Sequence, residues 1–141
     1  MTASLLALVL YAGWTLILLS MIAAMRFHLS VTGQRAPSRF APGGDDVSPF
    51  SGRLCRAHAN CCENLPIFAA LIAAALIAGH AEITDALALW VVAARVGQSV
   101  THLISIRSRA ILVRFLFLVV QVAIELWWCD ALGIALIGTL Q

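Results

Sequence analysis

Three polar side chains recur along one stretch of an otherwise apolar chain: Arg56, Asn60 and Glu63. On a helix, the i, i+4, i+7 spacing brings them within about 60° of one another, as a single stripe. The stripe offers a fork of guanidinium donors, an amide and a carboxylate. Such a set can hold a ligand that carries both ammonium and carboxylate groups. It can equally form an ion-pair network that ties helices together, and the residues alone leave both readings open. His58 falls on another face of the same helix, suited to a neighbouring helix or subunit.

A second stripe, Arg95, Gln98 and His102 at i, i+3, i+7, repeats the theme. Gln98 and Thr101 also suit interhelical hydrogen bonding, a common adhesive between membrane helices. Arg95 is expected to pair with Glu63 or another carboxylate. A third stripe, Arg114, Gln121 and Glu125, covers nearly a whole membrane thickness, whereas a binding site gathers at one depth, so it reads as structural. His58, Cys61, Cys62 and Glu63 crowd one helix, but they lack a second pair at the same depth to complete a four-ligand metal site, and no metal is expected. The four cysteines include no evident disulfide pair. Cys55, Cys61 and Cys62 fall at what reads as a cytoplasmic helix end, where thiols stay reduced.

The elements that must carry these stripes follow from composition. Of 141 residues, 62% are apolar and 11% charged, and mean hydropathy is +0.95; a soluble domain carries about 25% charged residues. That excludes a soluble enzyme, a nucleic-acid binder and a disordered segment. All nine basic residues are Arg, and a net charge of +2 is too small for a polyanion partner. A bilayer crossing needs about 20 apolar residues, and four stretches meet this, with expected helices at about 3–26, 49–79, 83–105 and 110–138. Period-2 alternation is absent, so a barrel is excluded. The fold expected is therefore all-α, a four-helix integral membrane bundle forming one domain over 1–141. The first run lacks a basic n-region and is longer than a signal h-region, so it reads as a permanent helix.

Residues 27–48 contain Gly33, Pro37, Pro42, Gly43 and Gly44 without periodicity and read as a loop. Ser48-Pro49 reads as an N-cap followed by Pro at the first helical position. A helix over 49–79 would be roughly 46 Å long, beyond a hydrocarbon core of about 30 Å, so its first turns should project into the headgroups. Pro66 should kink it. Trp127 and Trp128 beside Asp130 read as an interfacial aromatic belt. Arg26, Arg35, Arg39, Arg53, Arg56, Arg107, Arg109 and Arg114 gather at the first and third loops. Those loops are expected to be cytoplasmic and both termini to lie across the membrane. The short, compact form is that of a bacterial inner-membrane protein.

The run Arg56-Ala57-His58-Ala59-Asn60-Cys61-Cys62-Glu63-Asn64-Leu65-Pro66 resembles the signature of the MAPEG superfamily, the membrane-associated proteins of eicosanoid and glutathione metabolism. That signature is R-A-x-x-N-x-x-E, followed by an apolar stretch and Pro. Four helices, a long first loop and Ala94-Arg95-Val96-Gly97-Gln98 also fit, so the resemblance covers nearly the whole chain. It implies a homotrimer with glutathione, as co-substrate, bound between subunits near the cytoplasmic face. By the same resemblance, Arg56, Asn60 and Glu63 would bind the glutathione backbone, with Arg26, at the end of helix one, and His58 reaching in from the adjacent subunit. Gln98 and His102 take positions where other members carry Tyr or His. Arg109 would be the catalytic arginine that stabilises the thiolate, with Arg107 as the substitute if the loop is offset.

The chemistry implied is conjugation of a lipophilic electrophile, or reduction of a lipid hydroperoxide, by a glutathione thiolate; the second substrate would enter sideways from the bilayer. An always-charged guanidinium suits thiolate stabilisation. Tyr11 is the only tyrosine, so helix three lacks the aromatic hydroxyls of other members. This keeps a second reading in view, a non-catalytic glutathione- or lipid-binding scaffold of the same fold. A transporter lacks support, because broken-helix repeats are absent.

Overall fold

A computed structural model describes residues 2–105 and 107–139; residues 1, 106, 140 and 141 of the expected 1–141 domain lie outside the described residues. The described elements are α1 (Ala3–Val31), a 3-10 turn at Pro37–Arg39, α2 (Pro49–Ile77), α3 (Ala81–Asp85), α4 (Ala88–Ile104) and α5 (Ser108–Gly138). Four segments are long and apolar enough to cross a membrane: α1, α2, α3 with α4 taken together, and α5.

α5 shows which solvent the fold is built for. Its buried residues are Gln121, Glu125, Trp128 and Leu132, at i, i+4, i+7, i+11. Val113, Leu116, Val119, Val120 and Val122 on its other faces are exposed. A helix that hides its polar groups and presents Val and Leu outward is arranged for lipid. This is an integral, multi-pass membrane protein.

Helix boundaries differ from those expected, and the larger differences have local reasons. α1 continues to Val31 because Phe27 to Val31 contains no breaker. It stops where Gly33 takes φ +70° and its N–H bonds the Ser30 carbonyl at 3.1 Å, a glycine C-terminal stop. Arg26 therefore sits within the last turns of α1, not at its end. The third span is split at Ala86 and Leu87. Thr84 and Asp85, the last residues of α3, serve α1 there: Asp85 Oδ1 accepts from the Ser4 N–H at 2.8 Å, and the Thr84 and Ser4 hydroxyls meet at 2.7 Å. A carboxylate on the free N–H groups of a helix start is favourable. α2 runs unbroken through Pro66, begins with Ser48 Oγ accepting from Ser51 N, and ends before Gly79 at φ +78°.

α1 packs on α2 and α4, and α5 packs on α4 and, along a shorter line, on α2. Small buried residues (Ala7, Ala57, Cys61, Ala88) let the backbones approach. Gly97 is one such point, since a Cβ there would lie 2.8 Å from the Phe117 ring of α5. The aromatic column at the centre runs Tyr11, Phe68, Trp128, with centroids 5.2 and 5.9 Å apart. Trp128 is fully buried while Trp127 is half exposed. The expected aromatic belt is thus corrected: the side chain at 128 shares the inward stripe of Gln121 and Glu125 and belongs to the core.

The first loop folds back onto the start of α2. Asp46 accepts from the Ala41 N–H at 3.1 Å and from Arg35 at 2.7 Å. Those bonds, the backbone one foremost, hold its carboxyl below the usual range. Gly44 has φ +72°, and a Cβ would stand 2.6 Å from Ser51 Oγ and 2.7 Å from Cys55 Sγ. Gly44→Ala should therefore cost about 1–2 kcal/mol from backbone strain alone and prise the loop from α2. Faster alkylation of buried Cys55 and a lowered melting temperature would register it; unchanged Cys55 reactivity would mean the loop had accommodated the methyl group.

Candidate functional site

Arg56, Asn60 and Glu63 occupy successive turns of α2, and α4 sets Gln98 and His102 opposite them. Together they surround two adjoining cavities near the Arg-rich end of the bundle. The larger, about 480 Å³, has a polar wall of Arg56, Asn60, Gln98, His102 and Arg114 and an apolar wall of Ile111, Phe115 and Leu118 from α5. The smaller, about 180 Å³, is lined by Asn60, Glu63, Asn64, Arg95, Gln98 and Leu118. Asn60, Gln98 and Leu118 belong to both. Ile111 and Phe115 are largely exposed, so the apolar wall meets the lipid-facing surface.

His102 is held from two sides, by the Asn60 amide at 3.0 Å from Nε2 and by Arg114 Nη1 at 2.7 Å from Nδ1. Gln98 accepts from Gln121 Nε2 at 3.2 Å, so it is interhelical adhesive and cavity lining at once. Gln121 also donates to the Phe117 carbonyl at 2.8 Å, and Asn64 donates to Glu125 at 2.8 Å. Gln121 and Glu125 thus have the structural role expected of them. Arg114 does not, because it turns into the larger cavity.

Arg95 departs furthest from expectation. It forms no ion pair with Glu63 or another carboxylate among the described residues. Its Nη1 donates to the Asn60 carbonyl at 3.1 Å, its guanidinium lies 5.7 Å from the Tyr11 ring centroid, and Nε and Nη2 are buried without hydrogen-bond partners. The reason is geometric: Glu63 is exposed on the outer part of the α2 stripe, while Arg95 is 2% exposed.

Arg26, His58, Cys61, Cys62, Arg107 and Arg109 line neither cavity. Arg26 donates to the Ala41 carbonyl at 3.0 Å and lies over the Phe40 ring. His58 Nε2 is 3.4 Å from Cys62 Sγ. Cys61 is instead buried against Ser99 at 3.5 Å, so the adjacent cysteines face different neighbours. Among the described residues, no three His, Cys, Asp or Glu side chains gather as a metal site would require. Arg109 is exposed on the first turn of α5, about 140° around the helix from Arg114, and Arg107 precedes the helix as its N-cap residue. Arg56 is paired loosely with Asp45 of the first loop, 3.5 Å away, both more than half exposed.

The chain matches the MAPEG family over residues 4–136. The chain belongs to the MAPEG family. No curated protein and no solved structure matches it. MAPEG proteins are four-helix membrane bundles, and the family includes glutathione transferases and peroxidases, which use glutathione. In this MAPEG chain Arg56, Asn60 and Glu63 of the R-A-x-x-N-x-x-E run line the paired cavities. Two lining residues that sequence reasoning did not place there are Arg95 and Arg114. For Arg95 the depth on α4, shared with Gln98, was a usable signal. For Arg114 no local signal existed, because its reach depends on how α5 packs on α4.

Proposed function

We propose that this protein is a glutathione-dependent membrane enzyme, a transferase or peroxidase acting on lipophilic electrophiles or lipid hydroperoxides. One observation carries the reading: a cavity pair whose polar wall holds Arg56, Asn60, Glu63, Gln98 and His102, and whose other wall opens on lipid. Glutathione has carboxylates for Arg56, an ammonium for Glu63 and amides for Asn60 and Gln98. The apolar wall then sets a membrane-borne second substrate beside its thiol. The free thiol is mostly protonated at neutral pH, and the thiolate is the nucleophile; a guanidinium in reach favours the charged form. Arg109 takes that role as the catalytic residue. That Arg26, His58 and Arg109 line neither cavity of their own protomer supports their being supplied by an adjacent copy, in the homotrimer that the family resemblance implies. The Arg-rich end faces the cytoplasm, following the positive-inside bias, in a bacterial inner membrane.

A second reading, a glutathione- or lipid-binding scaffold without chemistry, is favoured by one feature. The only tyrosine, Tyr11, is buried with its hydroxyl against the Cys61 carbonyl at 3.5 Å, so no phenol lines the cavities. Calorimetric titration of the detergent-purified protein with glutathione, with thiolate absorbance followed in parallel, separates the two. The enzyme reading expects saturable binding, a thiolate band, and turnover against a panel of electrophiles and hydroperoxides. Arg109→Ala should abolish the band and lower turnover by at least about tenfold, the effect of losing one charge-assisted hydrogen bond of 1.5 kcal/mol or more. Full thiolate formation in Arg109→Ala would refute its role; binding without turnover in the wild type would establish the scaffold.

A further inference from the structure

His102 carries a proton-counting constraint that fixes more than its own state. A guanidinium only donates, so Nδ1, 2.7 Å from Arg114 Nη1, must accept. The ring is then neutral, with its single proton on Nε2. That N–H needs an acceptor, and the group it meets at 3.0 Å is the Asn60 amide. An amide nitrogen at that point would leave two donors face to face. A half-turn of the amide puts the oxygen there instead and swings the NH2 group away from His102, which frees it for a ligand in the cavities that Asn60 lines. Gln98 is sorted by the same logic. Gln121 Nε2, anchored by the Phe117 carbonyl, donates to Gln98 Oε1, so the Gln98 oxygen is engaged and its NH2 remains.

We infer that Arg114 is a positioning residue: by holding His102 as the Nε2–H tautomer it orients the Asn60 amide nitrogen inward, which makes the polar wall of the larger cavity a wall of donors. With Arg56, Arg114 and the two amide nitrogens on that wall, and no acidic residue among its described lining, the larger cavity takes the carboxylate-bearing end of a zwitterionic ligand. The end that carries the ammonium together with its own α-carboxylate goes to the smaller cavity, where Glu63, the one carboxylate among the described lining, can take the ammonium and Arg95 the carboxylate. The polarity of the site is thus set by a relay from α5 through α4 to α2, and Arg114 acts through His102 without touching the reacting atoms. The affinity part of this inference rests on the glutathione reading; the tautomer part does not.

The test uses the full-length chain in detergent with 15N-labelled histidine, His102 being assigned by comparison with His102→Gln. Long-range 1H–15N spectra at neutral pH should show His102 protonated at Nε2 and not at Nδ1. Arg114→Lys, which keeps a cationic donor, should preserve that pattern. Arg114→Met should mix or reverse the tautomers and weaken glutathione binding about tenfold, the worth of roughly one misplaced hydrogen bond. Asn60→Asp gives Nε2–H a permanent acceptor, so it should leave the His102 spectrum unchanged yet weaken glutathione, because the inward donor is gone. A wild-type His102 protonated at Nδ1, or at both nitrogens, overturns the inference. So does Arg114→Met losing affinity with the Nε2–H pattern intact, which would leave Arg114 acting by charge alone. A wild type that binds no glutathione refutes the proposed function, while the spectra of wild type and Arg114→Lys still decide how His102 is held.

Discussion

Trp128→Ala is expected to destabilise the protein by about 3 kcal/mol, while Trp127→Ala, one residue earlier, leaves stability within about 0.5 kcal/mol. Trp128 is fully buried and its ring packs at a tilt on Phe68, centroids 5.9 Å apart, as Phe68 does on Tyr11 at 5.2 Å. In lipid or detergent the surroundings of an unfolded helix are themselves apolar, so transfer from water contributes little. What Trp128→Ala loses is packing, with a cavity left where α5 meets α2. Trp128→Phe sharpens the comparison. The indole Nε1–H is buried without a partner among the described residues, so removing it forfeits no hydrogen bond there, and a phenyl ring should recover most of the loss. Thermal unfolding in detergent, followed by far-ultraviolet circular dichroism, reads all three. Equal effects at 127 and 128 would return both to an interfacial belt.

That pair of tryptophans also marks where sequence ceases to determine position. Depth along the membrane normal could be read from Asp130 and the helix end, and it suggested a belt for both. Rotation about the axis decides between them, and the inward stripe of Gln121 and Glu125 already contained it: 128 is three residues beyond 125, and 127 is two. The α2 stripe was legible because Arg56, Asn60 and Glu63 belong to one helix, whose geometry is fixed by its own hydrogen bonds. The same is true of Arg95, Gln98 and His102. What local geometry cannot supply is the register between helices. The approach of α5 to α4 depends on Gly97 admitting Phe117, so Arg114 could not be placed against His102 from spacing. The break between α3 and α4 was hidden for a related reason. Thr84 and Asp85 suit a helix interior poorly, but their partner, Ser4, is eighty residues away.

Arg95→Leu is expected to abolish glutathione binding, by roughly a hundredfold or more, with a melting temperature unchanged or raised. A buried cation is costly to hold, and this one receives little in return: one bond to a carbonyl, contact with the Tyr11 ring, and two N–H-bearing nitrogens with nothing to donate to. Replacing such a group by a well-packed apolar side chain is neutral or stabilising when no partner is stranded. None would be here, because the Asn60 carbonyl lies inside α2. Stability therefore gives no reason for a guanidinium at this position. A ligand does, because the guanidinium whose Nε and Nη2 lack partners among the described residues lines the smaller cavity beside Glu63. Two hydrogen bonds from a charged donor to a ligand acceptor contribute about 3 kcal/mol or more together, which is the hundredfold. Arg95→Lys, a point charge without the fork, should recover only part of it. Calorimetry with glutathione beside thermal unfolding of the same samples gives both numbers. Affinity retained within about threefold, joined to a fall in stability, would show that the guanidinium serves the bundle and that the smaller cavity is packing space.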